Sequence, residues 1–376
     1  MTKKEKVYGI SKWALDTPCL VIEEEILGHN IKEMQNYLNK LGKQLRPHAK
    51  THKCSRIAQK QIEAGAIGIC VAKVSEAEGL VKAGLRNILI TSPVVTDYKI
   101  SRLLDLLLLD RELMVVVDNA ANAQKLNEAA CQRSVRLNVL IDLDPGMGRT
   151  GVSFEQALAL GKIVHRLPGL NLKGIQCYAG QVQHIPSFNE RSQASLNWLK
   201  QAAEVFRQFQ KEGLPAEIFT GSGTGTAEID WQIPELTDLQ VGSYTLMDTE
   251  YLGIGSAEDP QRFKKFPPAL TLLSTVISAN HPGFVTIDAG LKSIYHHGGI
   301  PQVVFPANEG WRYEWRGDEH GMIHFAGADQ KLKLGEVVEL IVSHCDPTVN
   351  LFDEFYVIRD GRVIDLWPID LRGKCQ

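Results

Sequence analysis

Long apolar runs are missing from this sequence, and none follows the charged start Met1-Thr2-Lys3-Lys4-Glu5-Lys6. A bilayer-crossing helix needs about 20 consecutive apolar residues, so neither a membrane span nor a secretory leader is expected, and the reading is a soluble cytoplasmic protein. Cysteine is thinly scattered. The seven cysteines (19, 54, 70, 131, 177, 345 and 375) are odd in number and never spaced C-x-x-C, which argues against a disulfide framework or a zinc knuckle. An excess of one charge is absent as well: 41 Lys and Arg stand against 44 Asp and Glu, for a formal net charge of -3, with signs mixed along the chain. Nucleic acid and anionic membrane drop out as main partners, which leaves a small molecule.

What is present is alternation. The 376 residues exceed what one core usually supports, so two domains are expected. Asp16-Thr17-Pro18 punctuates the start, 19–22 reads as a strand, and 23–41 reads as a helix with Ile26, Ile31, Met34 and Leu38 on one side. Strand-like runs then recur at 44–49, 67–72, 87–91, 113–117, 137–143, 172–177, 216–219 and 239–244. Between them lie amphipathic stretches at 54–64, 76–83, 98–109, 120–131, 154–166 and 191–210. The seventh connection, 231–236, contains Pro234 and can hold only a short helical piece. This βα repetition fits an α/β fold of the closed (β/α)8 TIM type better than an open sheet. Pro260, Pro267 and Pro268 mark a boundary, after which runs at 270–278, 284–288, 335–342, 355–359 and 362–368 are separated by turns. The last two flank Asp360-Gly361, a hairpin signal. The expected organisation is a barrel over 19–262 and an all-β domain over 263–376, joined by the N-terminal segment 1–18.

Polar and glycine-rich residues fall where such barrels keep their chemistry, at the C-terminal ends of the strands. The first strand ends in Arg46-Pro47-His48-Ala49-Lys50-Thr51-His52-Lys53, four lysine or histidine side chains at a strand-to-helix junction. Alone, the octamer would read as a basic surface turn. In a barrel mouth its lysine becomes a candidate nucleophile toward a carbonyl. The fifth strand leads into Asp142-Leu143-Asp144-Pro145-Gly146-Met147-Gly148-Arg149-Thr150-Gly151, and the sixth into Tyr178. The seventh leads into Gly221-Ser222-Gly223-Thr224-Gly225-Thr226, whose backbone N–H groups could close around a phosphate, and the eighth into Gly242-Ser243-Tyr244.

A phosphate cradle, a lysine, an arginine and an aromatic around one mouth describe a pocket for pyridoxal 5'-phosphate. Lys50 is the candidate Schiff-base lysine, Arg149 a donor to the phenolic oxygen and Tyr178 a ring neighbour. Gly221, Ser222, Gly223 and Thr224 would hold the phosphate, and His48 and Tyr244 complete the cofactor-binding set. Lys53, expected to point outward from the start of its helix, and Lys73, at the end of the second strand, are rivals to Lys50. In the β domain, His344 and Asp346 of Ser343-His344-Cys345-Asp346-Pro347-Thr348 would share one face of a strand and could hold a divalent ion, although a hydrogen-bonded surface pair would look the same. Manganese suits this donor pair first, with magnesium, cobalt or zinc as alternatives.

Taken together, Pro47-His48-Ala49-Lys50-Thr51-His52-Lys53, the loop 146–151, the Gly-Thr-Gly run, Asp288-Ala289-Gly290-Leu291-Lys292, Asp318-Glu319-His320-Gly321 and His344-Cys345-Asp346-Pro347-Thr348 resemble the D-threonine aldolase and D-serine dehydratase family over about Asp16 to Lys374. The resemblance implies a fold-type III pyridoxal phosphate enzyme, a homodimer with its active site between one barrel and the partner's β domain. It also implies metal ligands at His344 and Asp346. Dehydratases of the family typically carry a cysteine where this chain has Asp346, so the resemblance favours cleavage of D-3-hydroxy amino acids to glycine and an aldehyde. His344, Asp318 or a metal-held water would take the hydroxyl proton. Dehydration of D-serine or 3-hydroxyaspartate, racemization, and a non-catalytic carrier of the cofactor are the competing readings.

Overall fold

The computed structural model describes residues 3–307, 310–327 and 332–376. Its first strand, β1 (Cys19–Glu23), does not join the barrel. It pairs antiparallel with β10 (Leu270–His281) and parallel with β16 (Glu354–Arg359) of the second sheet. Both faces of β1 are covered, because Leu20 and Ile22 pack into the main core of the β domain while Cys19 and Val21 enter a smaller cluster with Leu273 and Tyr356. The barrel boundary expected at residue 19 therefore moves past β1, and the helix Glu24–Lys40 carries the chain across.

The barrel strands are β2 (Gln44–Leu45), β3 (Ile69–Val71), β4 (Ile88–Ile90), β5 (Met114–Val117), β6 (Leu137–Leu143), β7 (Leu170–Cys177), β8 (Ile218–Gly221) and β9 (Asp238–Leu239). All are parallel, in the order β2-β9-β8-β7-β6-β5-β4-β3. Each sits between helices and the barrel interior, so apolar runs such as Met114–Val117 are buried on both faces and show no alternation. The ring closes just beyond β2: Ala49 N donates to Cys70 O at 2.9 Å and Cys70 N to Pro47 O at 2.8 Å. The strands expected at 44–49 and 239–244 shrink to the two-residue strands β2 and β9, the latter keeping only Leu239 of the expected range, before the chain turns into the loops that form the mouth. The seventh connection places its helix at Ala227–Asp230, ahead of the stretch containing Pro234.

Between β6 and β7 the register shifts at Gly174, whose φ is +143° and whose absent Cβ would lie 1.9 Å from Ile218 O. Both the backbone angle and the approach of β8 require glycine. Gly174→Ala is expected to cost about 3 kcal/mol of stability, read as a lower urea midpoint with the same slope. An unchanged midpoint would show that the strand can shift to make room.

The second sheet has the path β13 (Arg312–Trp315), β14 (Gly321–His324), β11 (Phe284–Ile287), β10, β1, β16 and β17 (Arg362–Pro368), with β15 (Val337–Ile341) bridging β10 and β12 (Gln302–Phe305). The short, partly exposed strands β12 to β14 had no alternation strong enough to be read in the sequence. Asp360 and Gly361, at φ 51° and 70°, make the expected hairpin turn. The N-terminal segment lies along this domain, with Gly9 N donating to Val363 O and Lys12 N to Gly361 O.

The β domain reaches the barrel mouth of its own chain. After β15, Val342 O and Ser343 O accept from Thr249 N and Glu250 N at the start of the short helix Thr249–Leu252 that follows β9. Among the described residues, no helix is long and apolar enough to cross a membrane.

Candidate active site

The turn after β2 folds back so that Lys53 N donates to Ala49 O at 2.8 Å, and it leaves Lys50 lining a pocket at the barrel mouth. Lys50 Nζ stands 3.7 Å from Asp346 Oδ2 and 5.8 Å from the centre of the Tyr178 ring. The Arg149 guanidinium lies 5.3 Å from the same ring. Burial alone would lower the Lys50 pKa, but Tyr178 and Asp346 outweigh it and hold the amine above its ordinary value. Lys53 does not point outward. At φ 48° its side chain turns in, is buried, and donates to Glu76 Oε1 at 2.6 Å. Glu76 also accepts from Ala72 N and Lys73 N at the start of the helix Val74–Lys82, while Lys73 itself is exposed. Of the three lysines, Lys50 alone lines the pocket.

His48 lines the pocket as a neutral ring. Burial first, then the charges of Lys50 and His52, push its pKa well below the usual value. Its Nδ1 accepts from Lys50 N at 3.3 Å, which leaves the proton on Nε2, donated to Thr91 Oγ1 at 3.1 Å.

Gly223 and Thr224 line the pocket, whereas Gly221 and Ser222 lie behind it. A Cβ at Gly221 would meet Cys177 O at 2.0 Å, and Ser222 Oγ faces Gly223 O and Thr226 Oγ1, so these two residues serve the packing of the strand end. Glycine at 223 and 225 follows from Gln183, whose atoms would lie 2.5 Å and 2.0 Å from the added Cβ atoms. The Tyr244 ring also departs from the expectation. It is fully buried against Phe266, and its hydroxyl accepts from Gln61 Nε2 at 3.1 Å, so it belongs to the core. What its loop gives the pocket is Gly242 and Ser243, and Tyr244 N donates to Thr224 Oγ1 at 3.1 Å, tying the two glycine loops together.

His344 and Asp346 do not share a strand. His344 precedes the helix Cys345–Val349 and Asp346 lies in its first turn, yet both line the pocket. This partner for Lys50 comes from the β domain of the same chain. His344 Nδ1 is 3.1 Å from Asp248 Oδ2 and 3.2 Å from Glu250 Oε2. Burial disfavours its charge, but the Asp248 hydrogen bond and the charges of Asp346, Asp248 and Glu250 prevail and raise its pKa to about 9. Asp248 is fully buried and fixed, accepting also from Cys345 N at 2.9 Å and Tyr251 N at 3.0 Å. It holds Nδ1 and so leaves Nε2 as the atom that could hold an ion. Asp346 Oδ1 is buried with no hydrogen-bond partner among the described residues, while burial opposes and Lys50 and His344 favour its charge, with a net lowering of its pKa. An open imidazole nitrogen and an orphaned carboxylate oxygen suit a divalent ion. No group of three or more such donors occurs among the described residues, so further ligands would be water or substrate.

Asp318 does not reach this pocket. It is exposed in the turn between β13 and β14, with its carbonyl accepting from Lys292 N at 2.9 Å, and its neighbour His320 is exposed too. The pocket instead holds His184, Tyr251, Gln176 and Gln240. His184 and Asp248 stand just past strand ends and carry a positional signal in the sequence; the glutamines carry none. Asp248→Asn, which keeps the shape but weakens the hold on His344, is expected to cost 10–100-fold in metal affinity and in kcat/KM, measured by metal titration and steady-state kinetics. Wild-type values for both would remove Asp248 from this role.

Comparison with known proteins agrees with this geometry. Residues 22–250 match the family model described as alanine racemase, N-terminal domain, and residues 269–358 match a putative serine dehydratase domain. The chain is 39% identical to a D-threonine aldolase of Arthrobacter sp over 96% of this chain and 93% of the relative. It is 33% identical to a 3-hydroxy-D-aspartate aldolase of Paracoccus denitrificans over 97% and 94%. The crystal structure of D-threonine aldolase from Filomicrobium marinum superposes with a TM-score of 0.91 at 34% identity, covering 98% of each chain. With both family models matched in the same two-domain order, the chain belongs to the D-threonine aldolase and D-serine dehydratase family of fold-type III pyridoxal phosphate enzymes.

Proposed function

We propose that this protein is a pyridoxal phosphate- and divalent metal-dependent lyase that cleaves D-3-hydroxy amino acids to glycine and an aldehyde. The observation that carries the reading is the meeting of Lys50 with Asp346, 3.7 Å apart, in one pocket that His344 and the 223–224 loop also line. Pyridoxal phosphate, when bound, supplies an electron sink for bonds at the substrate Cα, and a divalent ion, when bound, acidifies a hydroxyl.

The residues of this chain do the rest. Lys50 would offer the amine that carries the cofactor, Gly223 and Thr224 would take its phosphate, and Arg149 and Tyr178 would stand beside the ring. His344 and Asp346 would hold the ion, with Asp248 keeping His344 in orientation. His184 lines the pocket with its ring centre 6.4 Å from that of His344. Burial is the first cause that lowers its pKa, to about 4, so it is neutral and able to accept the hydroxyl proton. In the overall change the Cα–Cβ bond breaks, the hydroxyl becomes the aldehyde carbonyl and Cα takes up a proton. Asp346, in the place of the cysteine typical of the dehydratases, supports cleavage over dehydration.

Incubation with D-threonine is expected to release glycine and acetaldehyde in equal amounts. Oxo acid and ammonia in their place would make the protein a dehydratase. We read the ion as manganese, the protein as cytoplasmic and the assembly as a homodimer, for which light scattering at the mass of two chains is the check; a single-chain mass would reject the dimer.

A further inference from the structure

Two glutamines with no assigned task line the pocket, and their orientations are fixed from outside it. Gln176 Nε2 donates to Asp142 Oδ1 at 2.8 Å and to the carbonyl of Thr91 at 3.3 Å. A carbonyl can only accept, so the amide cannot be reversed, and Gln176 Oε1 must face the other way. There it accepts from Gln240 Nε2 at 3.0 Å. The second hydrogen of Gln240 Nε2 goes to Thr220 Oγ1 at 3.1 Å, and Thr220 donates in turn to Asp238 Oδ1 at 2.7 Å. Turning the Gln240 amide over would lose both bonds and set two oxygens against each other. Gln240 Oε1 is therefore held as an acceptor, and no described residue donates a hydrogen bond to it.

We infer that Gln240 Oε1 is the hydrogen-bond partner of the ring nitrogen of bound pyridoxal phosphate, and that the pocket holds this nitrogen protonated. The inference rests on the cofactor reading above. The cofactor offers four polar points: the aldehyde carbon, the phenolic oxygen, the phosphate and the ring nitrogen. Lys50 would meet the first, Arg149 would donate to the second, and the 223–224 loop would take the third, all of them lining the pocket. The ring nitrogen is the point left without a partner, and Gln240 Oε1, on the barrel side of the pocket, is an acceptor left without a donor. An unprotonated nitrogen there would oppose lone pair to lone pair, whereas a protonated one makes an N–H···O bond. The two chains of hydrogen bonds, from Asp142 through Gln176 and from Asp238 through Thr220, keep the oxygen from rotating away.

The test is nitrogen-15 NMR of holoprotein loaded with ring-labelled cofactor, at neutral pH, in wild type, Gln240→Glu and Gln240→Arg. The wild-type and Gln240→Glu resonances are expected in the pyridinium range, and Gln240→Arg, which puts a donor where the acceptor was, is expected to move downfield to the unprotonated range. A wild-type resonance in the unprotonated range overturns the inference, and so does a Gln240→Arg resonance that stays with wild type. Should the arginine variant fail to fold, the wild-type resonance still decides. Failure of the cofactor reading is distinguishable, since borohydride reduction would then leave no cofactor on Lys50. Trapped cofactor with an unprotonated nitrogen would sink this inference alone.

Discussion

Lys50→Ala is expected to lower kcat/KM for D-threonine by about 10⁴-fold or more, because it removes the amine that ties the cofactor into the pocket. The substitution should leave the fold intact. The Lys50 side chain is 39% exposed, and its ion pair with Asp346 is at 3.7 Å, so melting should change by no more than about 1 kcal/mol. Reduction with borohydride followed by peptide mass mapping separates the lysines directly: the wild-type protein is expected to carry cofactor on Lys50 and on no other lysine. Lys53 is spoken for by Glu76 and Lys73 is exposed, so label on either, or undiminished turnover in the alanine variant, would show that the mouth of the barrel works differently.

Removal of divalent ions should be nearly as damaging. Chelation is expected to take aldol cleavage to background, with manganese restoring it. His344→Ala should lose at least about 100-fold, more than the loss expected on weakening its Asp248 support. The ordering is the informative part, since a ligand must cost more than the group that orients it. Metal content of the purified variants, by elemental analysis, supplies a reading independent of rate. Turnover that survives the chelator would leave His344 and Asp346 as an ordinary ion-paired wall of the pocket and would bring racemization back as the reaction to test.

The sequence disclosed the barrel because strands buried on both faces are written as unbroken apolar runs, and Met114–Val117 or Leu137–Leu143 admit few other readings. It disclosed the rim because strand ends followed by glycine, lysine or histidine can be located without knowing what they touch. Contacts between distant residues were not legible. Nothing near Cys19 says that β1 pairs with β10 and β16, or near Lys53 that Glu76 is waiting for it. Tyr244 sits on the rim by position and in the core by orientation, a difference set by the turn Ser243–Thr245. Asp318 looked catalytic from its motif and stands in an exposed turn. The glutamines Gln176 and Gln240 look like any polar residue in a strand until their hydrogen bonds are traced.

The placement of β1 has a consequence for engineering. Because the polypeptide passes through the second sheet before entering the barrel and returns to it afterwards, the β domain is not one uninterrupted stretch of chain, whereas the barrel is. Grafting a new β domain onto this barrel requires two splice points, one before Glu24 and one after the barrel, and a single cut after the barrel would set the old β1 between strands it did not evolve to pair.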